Sequence, residues 1–560
     1  MKLLKYLVAI IVLNFSLFSQ SDDILKISRE QIDRAFTELK KQNTPAYYIA
    51  YGITDTRTLH ISSSLGKIDR LDSNTMRMLD IDLRVGSPKL DNTHIIRGEC
   101  AFFGSARSSF VLPYENNKSA ILKQLWISTD RAYKSAAETY EKVITNKKVK
   151  IAEEDSSDDF SNYPPQKYNE DVKNVRIDID KWKKILNTAS ELFNKDPKIY
   201  YGKVTLSLEI LDKYFVTTEG SEIHQSLPYL RVFISASTKA EDGMTLPLYH
   251  SYFAYDESQL PSEEELIKQT KEIMATLSKM REAPLMGTYS GPAILSGEAS
   301  GVFFHEIFGH RVEGHRQKDP DDAQTFKSSL NQKIISDVIS VTFDPTIDKV
   351  RGELISGHYK FDDEGVKAEK VVVAENGIFK NFLMSRSPIQ GFDQSNGHGR
   401  RQAGSKAVSR QSNLIISSSK VVPMPELRKA LIEEAKKQEK EFGLYFVQVQ
   451  GGFTFTGRSI PNSFNVNPLL VYKIYTDGRP DEIVRGVDLI GTPLTTFANI
   501  EAAADDFGVF NGICGAESGG VPVSASSPSL LVKKIEVQKQ KKSQAKLPIL
   551  APPVSTSLNN

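Results

Sequence analysis

The 560-residue chain predicts an α+β fold: two N-terminal α+β segments, then a β-rich C-terminal domain carrying a metal-binding helix. Three observations carry that reading. Helical periodicity alternates with short β-rich runs up to about residue 284. Beyond Ala283-Pro284 glycine becomes frequent and β-rich segments dominate, the pattern of a domain whose loops carry the chemistry. Within that half, Gly301-Val-Phe-Phe-His-Glu-Ile-Phe-Gly-His310 sets the imidazoles of His305 and His310 around the Glu306 carboxylate, directly after an apolar run.

Composition narrows the function classes. Hydrophobic residues at 40% and charged residues at 25% are ordinary for a globular protein. Lys+Arg 71 against Asp+Glu 70 leaves no basic excess for a nucleic-acid partner. At the N-terminus Lys2 and Lys5 supply a positive n-region, Leu3 to Phe18 supply an apolar core, and Ser19-Gln20-Ser21 offers small residues for cleavage. Residues 1–19 therefore read as a signal peptide, too short for a membrane span of about 20 residues, and no Cys follows for a lipid anchor. The mature protein is expected to be exported, periplasmic or secreted, without a stable membrane anchor. Its two cysteines, Cys100 and Cys514, are no disulfide framework: they form one long-range bridge, or at least one has another task.

The first α+β segment, 22–146, opens with an amphipathic helix over 28–43, with Ile32, Ala35, Phe36 and Leu39 at helical spacing. Short β-rich runs at 47–51, 59–61 and 78–83, separated by turn residues, predict a small antiparallel meander. A second helix follows over 120–143. Residues 147–170, with Glu153-Glu-Asp-Ser-Ser-Asp-Asp159 and Pro164-Pro165, read as an acidic linker or surface loop. The second α+β segment, 171–284, has a helix at 180–193, strands near 203–211, 214–217 and 230–237, and a closing helix at 262–281. Ser262 and Glu263-Glu-Glu265 suit that last N-terminus, as cap and acidic first turn. The C-terminal domain, 285–537, has strands near 334–343, 371–374, 413–417, 444–450 and 469–475 and one helix at 424–442. The basic, then Pro- and Ser-rich stretch 538–560 reads as a disordered tail.

Two His and a Glu match the content of a zinc-peptidase motif, but not its usual four-residue spacing. Five residues of α-helix turn through roughly 500°, leaving the two rings some 140° apart. A π-bulge, which Gly309 tolerates, would bring them together. A catalytic zinc needs a third protein ligand, for which Glu313, His315, His358, His398 and Cys514 are candidates. The acidic triplet Asp362-Asp-Glu364 reads as a solvated turn.

His305-Glu-Ile-Phe-Gly-His310 with Glu313-Gly314 resembles the H-E-x-x-x-H-x-x-E-G signature of the TldD/PmbA family of metallopeptidases. Asp362-Asp-Glu-Gly365, Glu375-Asn-Gly377, Asn396-Gly-His-Gly-Arg-Arg401 and Cys514-Gly with Gly519-Gly-Val-Pro-Val523 match that family in order. The resemblance covers about residues 285–537. It implies a catalytic domain with a Zn2+ cofactor held by His305, His310 and Cys514, and Glu306 as the catalytic carboxylate. The chain departs from the pattern at His315, where the family usually has Asp, and in its signal peptide. The expected function is zinc-dependent hydrolysis of peptides or unfolded segments, with His398, Arg400 and Arg401 on a Gly-broken loop holding substrate. The family implies a homodimer or a heterodimer with a related subunit. The alternative, a non-catalytic peptide-binding or partner subunit, is opposed by the complete His-Glu-His motif.

Overall fold

The computed structural model describes residues 20–96, 109–148, 155–320, 322–454, 457, 464–490, 493–540, 547–548 and 550. The signal peptide, Cys100 and most of the tail lie outside the described residues.

The chain is α+β, and its two N-terminal segments share one eight-stranded sheet. Its centre is the antiparallel pairing of Ala46–Ser64 with Lys67–Ser87 on one side and with Tyr201–Thr217 on the other. Glu222–Lys239 and Thr245–Ala254 extend the sheet. The small meander expected over 47–83 is instead two strands of 19 and 21 residues. Polar residues that read as turns are cross-strand pairs. Asp55 lies opposite Arg77, whose Nε and Nη2 each donate to the carboxylate at 2.6 Å in a buried bidentate bridge.

Helices Gln20–Leu39, Lys118–Lys148, Ile179–Glu191 and Glu263–Glu282 cover one face of this sheet. The first starts earlier than its periodicity predicts, so Ile24, Leu25 and Ile27 join Ile32 in the core. The last is capped as expected, the Ser262 hydroxyl accepting from Glu265 N.

The opposite face meets the C-terminal domain. Lys213 Nζ pairs with Asp363 at 2.7 Å, and Arg386 donates to Glu219 and to the Ser161 carbonyl while lying 4.0 Å from the Phe160 ring. These contacts correct two expectations. The described part of the acidic linker is pinned, because Phe160 and Asp159 are buried and Asp155 accepts from Gln390 N. The acidic triplet is buried as well: Asp362 accepts from the backbone N of Glu364, Val366 and Gly399, ordering the loop.

The C-terminal domain stacks two sheets around one helix. The six-stranded sheet ends in the hairpin Gly508–Ala516 and Gly519–Ser527, with Gly508–Ala516 outermost. The eight-stranded sheet includes Tyr289–Leu295, Phe442–Thr454, Phe464–Tyr475 and Leu530–Lys539. Between them lies the helix Gly297–Ile307, whose Phe303 and Phe304 are buried with Phe343, Phe446 and Phe497 in a core drawn from both sheets. A helix covered on both sides must be apolar all round, so its few polar side chains stand out as placed for a purpose.

Candidate metal centre

The central helix starts on Ser296, whose hydroxyl accepts from Ala299 N at 3.1 Å. It ends at Ile307, and Arg311 Nη1 caps the end by donating to Ile307 O at 2.7 Å. Gly309–Val312 then forms a 3₁₀ turn. The two histidines therefore converge through a helix end and a tighter turn, and the π-bulge expected from their spacing is not formed. Gly309 serves close approach rather than distortion. A Cβ there would collide with the Gln411 amide, whose Nε2 donates to His305 O at 3.1 Å. Gly301 likewise lets the helix lie against the C-terminal hairpin, since a Cβ would stand 2.8 Å from Ala525 O.

That packing brings Cys514 to the histidines. It lies opposite Val521 in the hairpin and is a buried free thiol. One ligand atom from each of His305, His310 and Cys514 falls within 4.8 Å of the others. The His305 and His310 rings are 5.2 Å apart at 76°, and Cys514 Sγ lies 3.5 Å from His310 Nε2. For a tetrahedral ion with Zn–N and Zn–S bonds of about 2.0–2.3 Å, adjacent ligand atoms stand about 3.5 Å apart. His305 Nδ1 is buried without a hydrogen-bond partner. The donor set and its spacing fit zinc.

The electrostatics prepare the site for a cation. Burial alone would raise the Cys514 thiol, but the two imidazoles outweigh it and hold the thiol well below its ordinary value, toward the thiolate that binds metal. Burial would lower His310; Cys514 and Glu313 reverse that and raise it well above the usual imidazole range. Glu313 is fully buried, facing His310 Nδ1 at 3.2 Å and accepting from Arg316 Nε at 2.8 Å. A carboxylate on the far nitrogen of a ligating His fixes its tautomer and ring plane. Glu306, adjacent to His305, is 9% exposed, and its carboxylate has no hydrogen bond or ion pair among the described residues.

Other expected site residues lie elsewhere. His398 is fully buried, its ring nitrogens within 3.1 Å of Asn396 O and Ser412 Oγ, and burial lowers it to about 3. Arg400 Nη1 donates to Gln411 O at 2.6 Å, with its guanidinium 4.7 Å from the Tyr359 ring. Arg401 pairs with Asp80 of the N-terminal sheet, and its backbone N donates to Asp363. All three are engaged in packing and domain contacts. His358, a candidate third ligand, faces Pro345 O at 2.8 Å. His315 bonds to Glu517 in the hairpin turn, which Arg316 Nη2 also reaches at 3.0 Å, so His315 ties the Cys514 hairpin to the chain after the helix.

Sequence reasoning missed Arg410 and Gln411. Arg410 Nη2 donates to Cys514 O at 2.7 Å and Nη1 to Ser518 Oγ at 2.6 Å, clamping both sides of the hairpin turn. The signal was the polar run Ser409-Arg-Gln-Ser-Asn413 leading into a β-rich segment, all five residues fully buried.

Residues 287–539 match the PmbA/TldA metallopeptidase C-terminal domain. A protein of Methanothermobacter thermautotrophicus named a metalloprotease is 29% identical over 325 residues, 57% of this chain and 65% of that protein, a little under two thirds of its length. A zinc metalloprotease TldD homolog of Saccharolobus solfataricus is 26% identical over 362 residues, 62% of this chain and 74% of that protein. The crystal structure of TldE from Thermococcus kodakarensis superposes with a TM-score of 0.60 at 15% identity, covering 92% of this chain and all of that one, a likeness of fold. The domain match assigns residues 287–539 to the PmbA/TldD metallopeptidase C-terminal domain, the curated relatives agree with it, and the solved structure shares the fold.

Proposed function

We propose that the protein is an exported, zinc-dependent peptidase acting on peptides or unfolded segments. The convergence of His305, His310 and Cys514, with a free carboxylate at Glu306 beside them, supports this above all. Relatives named metalloproteases add to it. His305, His310 and the Cys514 thiolate would hold the ion, and Glu313 would orient His310. When bound, zinc supplies Lewis acidity that polarises a carbonyl and acidifies a water. Glu306 then takes the proton of the attacking water and passes it to the leaving amine, a task for which an unengaged carboxylate is suited. The outermost strand, Gly508–Ala516, leaves one edge open along which an extended peptide would add as a further strand. Pairing with a like or related subunit is part of the reading.

Zinc content and peptide cleavage by the purified protein test it. Wild type and Glu306→Gln are expected to hold about one zinc per chain, Cys514→Ser much less. Glu306→Gln should cleave roughly 10²- to 10⁴-fold more slowly. Zinc retained in Cys514→Ser, or full activity in Glu306→Gln, would overturn the assignment.

A further inference from the structure

The sheet face turned toward the C-terminal domain carries a cation for which the metal centre has no use. Along Glu222–Lys239, Leu230, Val232 and Ile234 are buried toward the helices, so Tyr229, Arg231 and Phe233 point to the other face. Arg231 lies between Ser207 and Phe253 of the flanking strands, and Phe233 lies opposite Ser251. The floor around it is aromatic. Phe233 stacks on Tyr249 at 5.3 Å, and Phe253 lies 6.3 Å from Tyr229 and 5.0 Å from Tyr255. Domain contacts bound this floor on two sides. Tyr249 Oη donates to Val449 O at 2.7 Å and to Glu298 at 3.2 Å, while Tyr255 Oη donates to Ile355 O at 2.5 Å.

Among the described residues the Arg231 guanidinium has no hydrogen bond and no ion pair, and Ser251 Oγ is buried without a partner. Burial lowers the guanidinium from its ordinary value, with only Tyr249 opposing the effect. The neighbouring cation on this face, Lys213, is paired with Asp363 at 2.7 Å. A half-buried guanidinium without a counter-ion is costly unless an anion arrives from outside, and its planar fork matches a carboxylate.

The floor is in reach of the metal centre. Glu298, bonded to Tyr249, precedes His305 by seven residues on the central helix. Seven residues return to the same helix face about 10.5 Å further on, the span of about three residues of extended chain. The open-edged strand follows the same course, with Gly508 packed on Gly297 and Cys514 facing His310.

Resting on the peptidase reading, we propose that Arg231 is a carboxylate-binding subsite of the peptide groove, on the Glu298 side of the bond to be cleaved. Its ligand is the C-terminal carboxylate of a short peptide or an Asp or Glu side chain of a longer one. Tyr249 and Phe233 hold the adjoining backbone, and Ser251 offers a donor.

The test measures binding rather than turnover, so that it stands apart from catalysis. The full protein bearing Glu306→Gln is titrated with one fluorescent decapeptide in four forms: free acid or amide at the C-terminus, each with Glu or Gln at an internal position. Loss of affinity on amidation locates a terminal carboxylate, and loss on Glu-to-Gln exchange an acidic side chain. The favoured carboxylate form is expected to bind roughly tenfold tighter than its neutral counterpart, the worth of a charge-assisted pair. Adding Arg231→Gln should bring that ratio to near one, and Arg231→Lys should restore part of it. Unchanged zinc content and melting temperature exclude misfolding as the cause. Equal affinity for all four forms, a ratio that survives Arg231→Gln, or no binding would overturn the subsite. Arg231-dependent binding beside a wild type that cleaves nothing would sustain the subsite and overturn the peptidase reading.

Discussion

Exchanging Glu313 for Gln isolates what holds His310 in place. The carboxylate is fully buried and shared by three cations: His310 Nδ1 at 3.2 Å, Arg316 Nε at 2.8 Å and Arg410 Nε at 3.6 Å. Burial would raise the carboxyl, but His310 and Arg316 outweigh it and hold it at about 2. Gln keeps the shape and one acceptor oxygen while removing the charge. His310 then faces at most a neutral acceptor in place of the carboxylate, Arg410 loses the charge beside its Nε, and Arg316 is left with Glu517 and Asp322. A charge-assisted hydrogen bond contributes roughly 1.5–3 kcal/mol, and losing a carboxylate behind a metal-bound His weakens the metal roughly 10- to 100-fold. Competition against a zinc chelator at neutral pH reads that loss. A second signature lies in the pH dependence of folding. The folded carboxyl titrates at about 2, below its ordinary 4.5. Its contribution is therefore complete above the ordinary value and lost as pH falls through about 2, with a ceiling of about 3 kcal/mol for so coupled a network. Urea midpoints of wild type and Glu313→Gln should differ at neutral pH and converge in acid. Zinc affinity within about twofold of wild type, with no difference in midpoint at neutral pH, would refute the orienting role.

Two further substitutions probe the surroundings. Burial pushes Glu298 up to about 7, so the folded state holds its proton more tightly than the unfolded chain, and stability falls as pH rises from 4.5 through 7. Glu298→Gln stays neutral and still accepts from Tyr249, so it should gain about 2–3 kcal/mol over wild type above neutral pH and flatten the profile between about pH 5 and 8. Parallel profiles would show that the carboxyl is not buried in solution. His315→Asp sets a second carboxylate against Glu517, whose own carboxyl His315 and Arg316 now hold below the usual range despite burial. Chemical denaturation should show a loss of about 1–3 kcal/mol, recovered when Glu517 is also exchanged for Gln, and an unchanged single variant would remove the hairpin tie.

The fold was legible where burial is one-sided. Ile179–Glu191 and Glu263–Glu282 alternate apolar and polar faces at helical period, and the Ser262 cap marked its helix within a residue. The pattern failed where polar residues are paired inside the protein. Asp55 and Arg77 read as punctuation because a single sequence does not show that they face each other across 19- and 21-residue strands. The same blindness made Asp362 and Glu364 a solvated turn and 155–170 a loose linker, although their partners, Gly399 N, Arg386 and Gln390, lie far along the chain. Polarity is local, and satisfaction of polarity is not.

At the metal centre, ligand identity was legible and geometry was not. The five-residue spacing of His305 and His310 is incompatible with one helix face, and a π-bulge is only one of two remedies. The chain uses the other: it ends the helix at Ile307 and lets Arg311 take the freed carbonyls. That choice depends on Gln411, which needs the missing Cβ of Gly309, and no helix-local rule reads a contact from 102 residues away. The loop 396–401 drew attention for its Gly, His and Arg content, yet the residues that reach the hairpin follow it. Arg410 clamps the Cys514 turn, and Asn413 Nδ2 donates to Asp344 O at 3.0 Å where the strand begins. Ser409–Asn413 breaks the alternation of a half-buried strand with five buried polar residues, which folding tolerates only when each finds a partner. Charge in a loop is common and uninformative. Charge at the buried root of a strand has to be answered by another part of the chain, and here the answer is the hairpin that carries the third ligand.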